Sequence, residues 1–256
     1  MKRPLYIFFI ILLAHPAFSQ SLHTSHKNLP CIDKTFQVYA HVILDSLMVA
    51  NYSLEDLNNA LAITNAAYEP ICARFELCGV DTIRNYEYDS VATDFEVGEM
   101  LNKFQVKNRI NIYLVSELQD PGTCGFAVVN GISNLSNSHI FLKCQGGTLV
   151  HEMGHLFGLL HTFEGNGVEN VNGSNCETEG DNICDTPADP FIEDTDMSLW
   201  VNEHCEFIFE GLDANGEYYS PDVGNIMSYY PCTCGFTWQQ YKIMADNYLN
   251  SNPRMW

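Results

Sequence analysis

The sequence runs to 256 residues, with 12 Lys plus Arg against 32 Asp plus Glu, a formal net charge of −20 and 46% hydrophobic residues. Such a length and apolar content support a buried core and exclude a disordered chain. The acidity excludes a nucleic-acid partner and an anionic membrane surface, since both would repel the chain.

Lys2 and Arg3 precede an apolar run over 5–14, and Ala17-Phe18-Ser19 is a small-x-small cleavage signal. Residues 1–19 therefore read as a secretory signal peptide, too short to span a bilayer. The expected mature chain starts at Gln20 and carries 10 basic residues against 32 acids, a net charge of −22, in an extracellular or periplasmic compartment. Residues 20–33 read as a short polar tether. The β-branched and aromatic run at 35–44 predicts a buried strand. Ser53 and Asp56 form a capping box, and Leu54, Leu57, Leu61, Thr64, Tyr68 and Ile71 mark one face of the helix that follows. Strands are predicted at 75–84, 109–115, 126–130 and 139–143, a second helix at 95–104 and a last one at 237–249. Strands interleaved with helices imply an α/β (α+β) lobe with a mixed sheet over 34–161. Residues 162–241 contain no Lys or Arg, so 162–256 reads as a second, irregular and acidic lobe.

All ten cysteines lie beyond the signal. Export makes disulfides their default state. Proximity suggests Cys72 with Cys78, Cys124 with Cys144 and Cys176 with Cys184, and leaves Cys31 for Cys205 or Cys234. A structural zinc at Cys232-Thr-Cys234 is the alternative for that pair, although one intervening residue is tight.

The chemistry sits at 147–163. His151 and His155, four apart on a helix, can aim imidazoles at one ion. Glu152 places a carboxylate beside the ion rather than on it. Gly158 can take the positive φ that ends a helix, and the turn lets His161 return as a third ligand. Three neutral nitrogens around Zn²⁺ leave a fourth position for water. Further on, Asn225-Ile226-Met227-Ser228-Tyr229 has the look of a methionine turn flooring such a site.

On H-E-M-G-H-L-F-G-L-L-H-T-F at 151–163, Gly180-Asp181 with Asp185-Thr186-Pro187, N-I-M-S-Y at 225–229 and Phe236-Thr237 before a Gln239-containing helix, the chain resembles the metzincin metallopeptidases. Within that clan it is most similar to the pappalysin-like (cytophagalysin) family, over about 34–250. The resemblance implies a zincin fold whose upper lobe carries the zinc helix and whose lower lobe carries the Met-turn and terminal helix. It implies His151, His155 and His161 as zinc ligands and Glu152 as general base and acid. Met227 becomes the apolar floor and Tyr229 a residue near the metal. It also implies Ca²⁺ in the acidic loop, where Asp181, Asp185 and Thr186 offer hard oxygens. Cys31 could then serve as a latency plug on the zinc. No acid occurs in 228–236, which puts a preference for basic residues after the scissile bond in doubt. The expected protein is a monomeric secreted zinc endopeptidase binding an extended protein or peptide substrate along an edge strand at 139–143. A secreted zinc-fold binding protein and a zinc amidase not acting on proteins are the alternatives.

Overall fold

The computed structural model describes residues 29–252 apart from 121 and 135. The expected signal peptide, the start at Gln20 and residues 20–28 of the tether lie outside the described residues. In chain order the elements are β1 (Lys34–Ile43), α1 (Leu54–Tyr68), β2 (Ala73–Ile83), β3 (Ser90–Val91) and α2 (Asp94–Phe104). They continue with β4 (Ile110–Leu114), β5 (Glu117–Leu118), β6 (Gly125–Ala127), β7 (His139–Leu142), α3 (Thr148–Leu156) and α4 (Trp238–Asn250). Three of the four α-helices start where the sequence supplies a side-chain cap; α3 starts at Gly147 without one. Ser53 and Asp56 close the expected box on α1, Thr93 caps α2, and Thr237 with Gln240 forms a second box on α4. No helix among the described residues is long and apolar enough to cross a membrane.

The main sheet has the order β2-β1-β4-β7-β6. It is parallel except for β6, which runs antiparallel to β7. The fold is therefore the expected mixed α/β layer. Every residue of β4 and β7 is buried, as interior parallel strands covered on both faces require. Alternation along these strands sends Ile112, Ile140 and Leu142 into one apolar cluster and Tyr113 and Phe141 into another. The first cluster joins the sheet to α1, α3 and α4; the second joins it to α2. Since Met244, Ala245 and Tyr248 of α4 belong to the first cluster, one core reaches across residue 161. Beyond it, Phe163, Phe191, Trp200, Val201 and Tyr230 form a small core for the irregular segment.

Position in the sheet corrects one expectation. Strand β7 is interior, paired on both sides, and the edges are β2 and β6. The 139–143 segment thus has no free edge to offer a peptide.

The cysteines pair as 31–72, 124–144, 176–184 and 205–232, with Cys78 and Cys234 free and exposed. Two of the proximity pairs are borne out. Cys72–Cys78 is not, because β2 runs extended between them and holds the two about 20 Å apart. Backbone hydrogen bonds from Ile32 to Ile71 and from Lys34 to Cys72 instead lay Cys31 beside Cys72. Cys31 is consequently neither a partner of the C-terminal cysteines nor a plug on the metal. Cys232, bonded to Cys205, is not available for a zinc with Cys234.

His139 on β7 is 4% exposed, and its Nδ1 has no hydrogen-bond partner. Burial pushes its pKa down to about 4. The unfolded chain takes up a proton near pH 6.5 that the fold accepts only near pH 4, so stability is lost as pH falls through that window, by up to about 3 kcal/mol. Urea unfolding at pH 7 and pH 4.5 should show a smaller loss for His139→Gln than for the wild type. An equal loss would remove His139 as the cause.

Candidate metal centre

Helix α3 packs against α1, β6 and β7 and carries His151 and Glu152 on one turn and His155 on the next. Its end is built by glycine. Gly158 has φ +103°, and a Cβ there would lie 2.1 Å from the Asn247 amide nitrogen. Both the backbone region and the close approach of α4 exclude a side chain. The Gly158 and Leu159 amides donate to the carbonyls of His155 and Gly154 at 2.8 and 2.9 Å, closing the last turn and returning the chain towards the helix.

That return brings His161 to the other two histidines. His155 Nε2 lies 3.1 Å from His151 Nε2 and 3.0 Å from His161 Nε2. The tautomers follow from the partners. His151 Nδ1 donates to the Ile226 carbonyl at 2.7 Å, and His155 Nδ1 donates to the Leu159 carbonyl at 2.8 Å. Both Nε2 atoms therefore present lone pairs to each other, an arrangement that is unfavourable unless a cation lies between them. Tetrahedral Zn²⁺ with bonds of about 2.0–2.1 Å spaces its nitrogen ligands by about 3.3 Å, so the cluster fits that ion. Among the described residues, these three histidines are the one group of three or more such side chains close enough to share a metal. Burial pushes the pKa of His151 down to about 4 and lowers that of His155 and His161 as well, which keeps all three neutral and able to ligate.

Glu152 is 4% exposed, and its Oε2 has no hydrogen-bond partner. Burial alone raises its carboxyl pKa to about 8; a cation beside it would draw that value back down. Met227 is fully buried. A Cβ on Gly154 would stand 2.4 Å from the Met227 sulfur, so the glycine in the middle of α3 is the space that the methionine fills. The Tyr229 ring centroid lies 4.8 Å from that of His161 and 5.7 Å from that of His151. Its phenol is held protonated by burial and by the acids Glu193, Glu152, Asp120 and Asp194. A cleft of about 300 Å³ exposes Glu152, His155, His161 and Tyr229, with β6 along its rim.

A family model described as metallo-peptidase family M12B reprolysin-like matches residues 54–162, and one described as pregnancy-associated plasma protein-A matches 127–249. The second contains the histidine cluster and the methionine turn together. Over these stretches the chain is similar to the metzincin-like metallopeptidases, and over the second to the pappalysin family. Relatives include an extracellular metalloprotease of Sordaria macrospora, 29% identical over 59% of this chain and 55% of that protein. Another, from Podospora anserina, is 29% identical over 66% of this chain and 64% of its own length. The chain thus spans somewhat more than half the length of the relatives it matches. Mature mirolysin of Tannerella forsythia, solved with a cleaved peptide, superposes with a TM-score of 0.58 at 18% identity, covering 89% of this chain and 94% of that one. That likeness shows the zincin-type fold.

In this pappalysin-like chain the acidic loop is divided in its tasks. Asp185 accepts from the Thr237 hydroxyl at 2.6 Å and the Gln239 amide at 2.8 Å, which ties it to the start of α4. Asp181 Oδ1 accepts from the Ile183 amide and the Thr186 hydroxyl, while its Oδ2 is buried without a partner. Asp181 and Glu169 are each 4% exposed, and burial raises both carboxyls to about 7.

Sequence reasoning missed two supports of the site. Asp189 is 2% exposed and accepts from the Thr162 hydroxyl at 2.8 Å and the Tyr230 phenol at 2.7 Å, fixing the residue after His161 to the methionine turn. Asn225 and Gln240 exchange amide hydrogen bonds of 2.9 and 3.1 Å, and Asn225 Oδ1 also accepts from the Met227 amide. The turn is thereby fastened to α4. The only signal of this in the sequence is an asparagine two residues before Met227, a weak one.

Gly154→Ala is expected to displace Met227 and lower the thermal midpoint, since overpacking a core costs about 1–3 kcal/mol. Met227→Ala in the same chain should recover part of the loss in a melting experiment. Failure to recover any would separate Gly154 from Met227.

Proposed function

We propose that this chain is a secreted zinc endopeptidase that hydrolyses peptide bonds in proteins. His151, His155 and His161 hold the zinc, and Glu152 serves as general base and acid. The observation that carries this is the cluster of three imidazole lone pairs beside a buried carboxylate with an unpaired oxygen, at the bottom of a cleft rimmed by an open strand edge. Zn²⁺ bound there lowers the pKa of a water molecule towards 7 and polarises a carbonyl. Glu152 takes the proton of the attacking water and delivers it to the leaving amine. Tyr229, protonated at neutral pH, donates to the oxygen on which negative charge develops. Free backbone groups of β6 pair with the substrate main chain by strand addition, in the role the sequence suggested for 139–143.

A binding protein without turnover has no use for Glu152, and the strand edge along the cleft favours a polypeptide over a small amide. The four disulfides and the extracellular relatives support export. Casein or gelatin zymography, with and without a metal chelator, tests the reading. Clearing that the chelator abolishes is expected, and no clearing in either lane would defeat it.

The same reading assigns Ca²⁺ to the acidic loop, with Asp181 and Thr186 joined by Glu169 rather than by Asp185, which is engaged as a cap. Support comes from the orphaned Asp181 oxygen and from the lack of any Lys or Arg in 162–241 to neutralise these carboxylates. A calcium chelator that spares zinc should lower the melting temperature by several degrees, and Asp181→Asn should abolish that response. An unchanged melting temperature would exclude the ion.

A further inference from the structure

The irregular segment carries two short hairpins, bridged at Val201–Phe207 and at Leu212–Tyr218. The Asn202 side chain closes the first by accepting from the His204 and Glu206 amides, and Asp213 closes the second by accepting from the Asn215 and Glu217 amides. The Cys205–Cys232 disulfide and the hydrogen bond donated by the Tyr219 hydroxyl to the Gly167 carbonyl fasten both to the rest of the chain. On this fixed frame Ile208, Phe209, Leu212 and Tyr218 are 44%, 38%, 52% and 68% exposed. Bridged partners carry their side chains on one face, so Leu212 lies beside Tyr218. Phe209 packs on Trp200 with ring centroids 4.6 Å apart and covers Gly211, where a Cβ would stand 2.1 Å from its ring. Glu203, Glu206, Glu210 and Glu217 are exposed in the same stretch. Their one ion pair among the described residues joins Glu203 to neighbouring His204, and 162–241 holds no Lys or Arg.

We propose that this surface docks a cationic amphipathic segment of a partner protein, one whose apolar face is flanked by lysine and arginine. Large apolar side chains exposed together mark interaction sites, and a frame that already holds them in place lowers the ordering cost of binding. The glutamates set the sign of the partner. A second copy of this chain, with a formal net charge of −20, would meet repulsion instead. None of the four apolar residues lines the metal cleft. A line of packed rings runs from Tyr229 at the cleft through Phe191 and Trp200 to Phe209, so part of the small core separates the surface from the metal. Docking there leaves the cleft open, and the inference stands whether or not the chain hydrolyses peptides.

The test is fluorescence anisotropy with a labelled helical peptide that carries leucine on one face and lysine on the flanks. The zinc-loaded Glu152→Gln chain is used, so that no peptide is consumed. Binding with Kd on the order of 10 µM is expected, weakened about tenfold in about 0.5 M NaCl as exposed charges are screened. Leu212→Ser/Tyr218→Ser and, separately, Glu210→Lys/Glu217→Lys should each weaken it by about tenfold or more without moving the thermal midpoint. Peptides with glutamate for lysine, or serine for leucine, should not bind. No binding of the leucine–lysine peptide overturns the proposal. Binding that either variant keeps also overturns it, because the partner is defined by both its apolar face and its charge. A dimer in sedimentation that Leu212→Ser/Tyr218→Ser splits, or capture on phosphatidylcholine vesicles that the same variant abolishes, would assign the face to a second copy or to lipid instead.

Discussion

Glu152→Gln is expected to bind one zinc per chain, as the wild type does, and to lose peptide hydrolysis by about 10³–10⁴-fold, a loss read from kcat/KM on one peptide with metal content by atomic absorption. The reasoning is geometric. Glu152 immediately follows the first ligand, yet neither of its oxygens is needed by the histidines, whose Nδ1 hydrogens are taken by the carbonyls of Ile226 and Leu159. Glutamine matches the carboxylate in shape, so the packing of Gly125 against the Glu152 side chain is retained. What disappears is the ability to accept a proton from the attacking water. Turnover within tenfold of the wild type, with zinc at full stoichiometry, would show that another group serves as the base.

His161→Ala is expected to weaken zinc binding by about 10²–10³-fold. A structural zinc site holds its ion with about 10–16 kcal/mol spread over its ligands, so each contributes on the order of 3 kcal/mol. Competition with a zinc-sensitive dye reads the change. Hydrolysis at saturating zinc should fall too, because the loss of one ligand alters the geometry at the open position. The substitution also removes the stack of His161 on Phe163, so Phe163→Leu provides the comparison. It disturbs the same packing and should leave zinc affinity close to that of the wild type. Equal affinity in His161→Ala and the wild type would remove the third ligand from the assignment.

Much of this was legible in the residues. The capping box at Ser53, the β-branched run of β1 and the polar caps of α4 are local signals, read by neighbours within a turn or a strand. The histidine spacing on α3 and the glycine after it are local as well, which is why the three clustered histidines and Glu152 beside them could be named before any fold was known. Cys124–Cys144 and Cys176–Cys184 were found because each closes a short loop.

The sequence by itself determined most of the elements and the three histidines that come together, for in both the decisive contacts lie within a few residues along the chain. The tertiary structure alone decided which strand has a free edge, that Cys31 meets Cys72 rather than a distant cysteine, and that Asp185 caps a helix. It also decided that Gly154 makes room for Met227 and that Asn225 locks to Gln240. Those outcomes depend on which surfaces pack together, and no periodicity in the chain records the packing that brings residues 225 and 240 to one place.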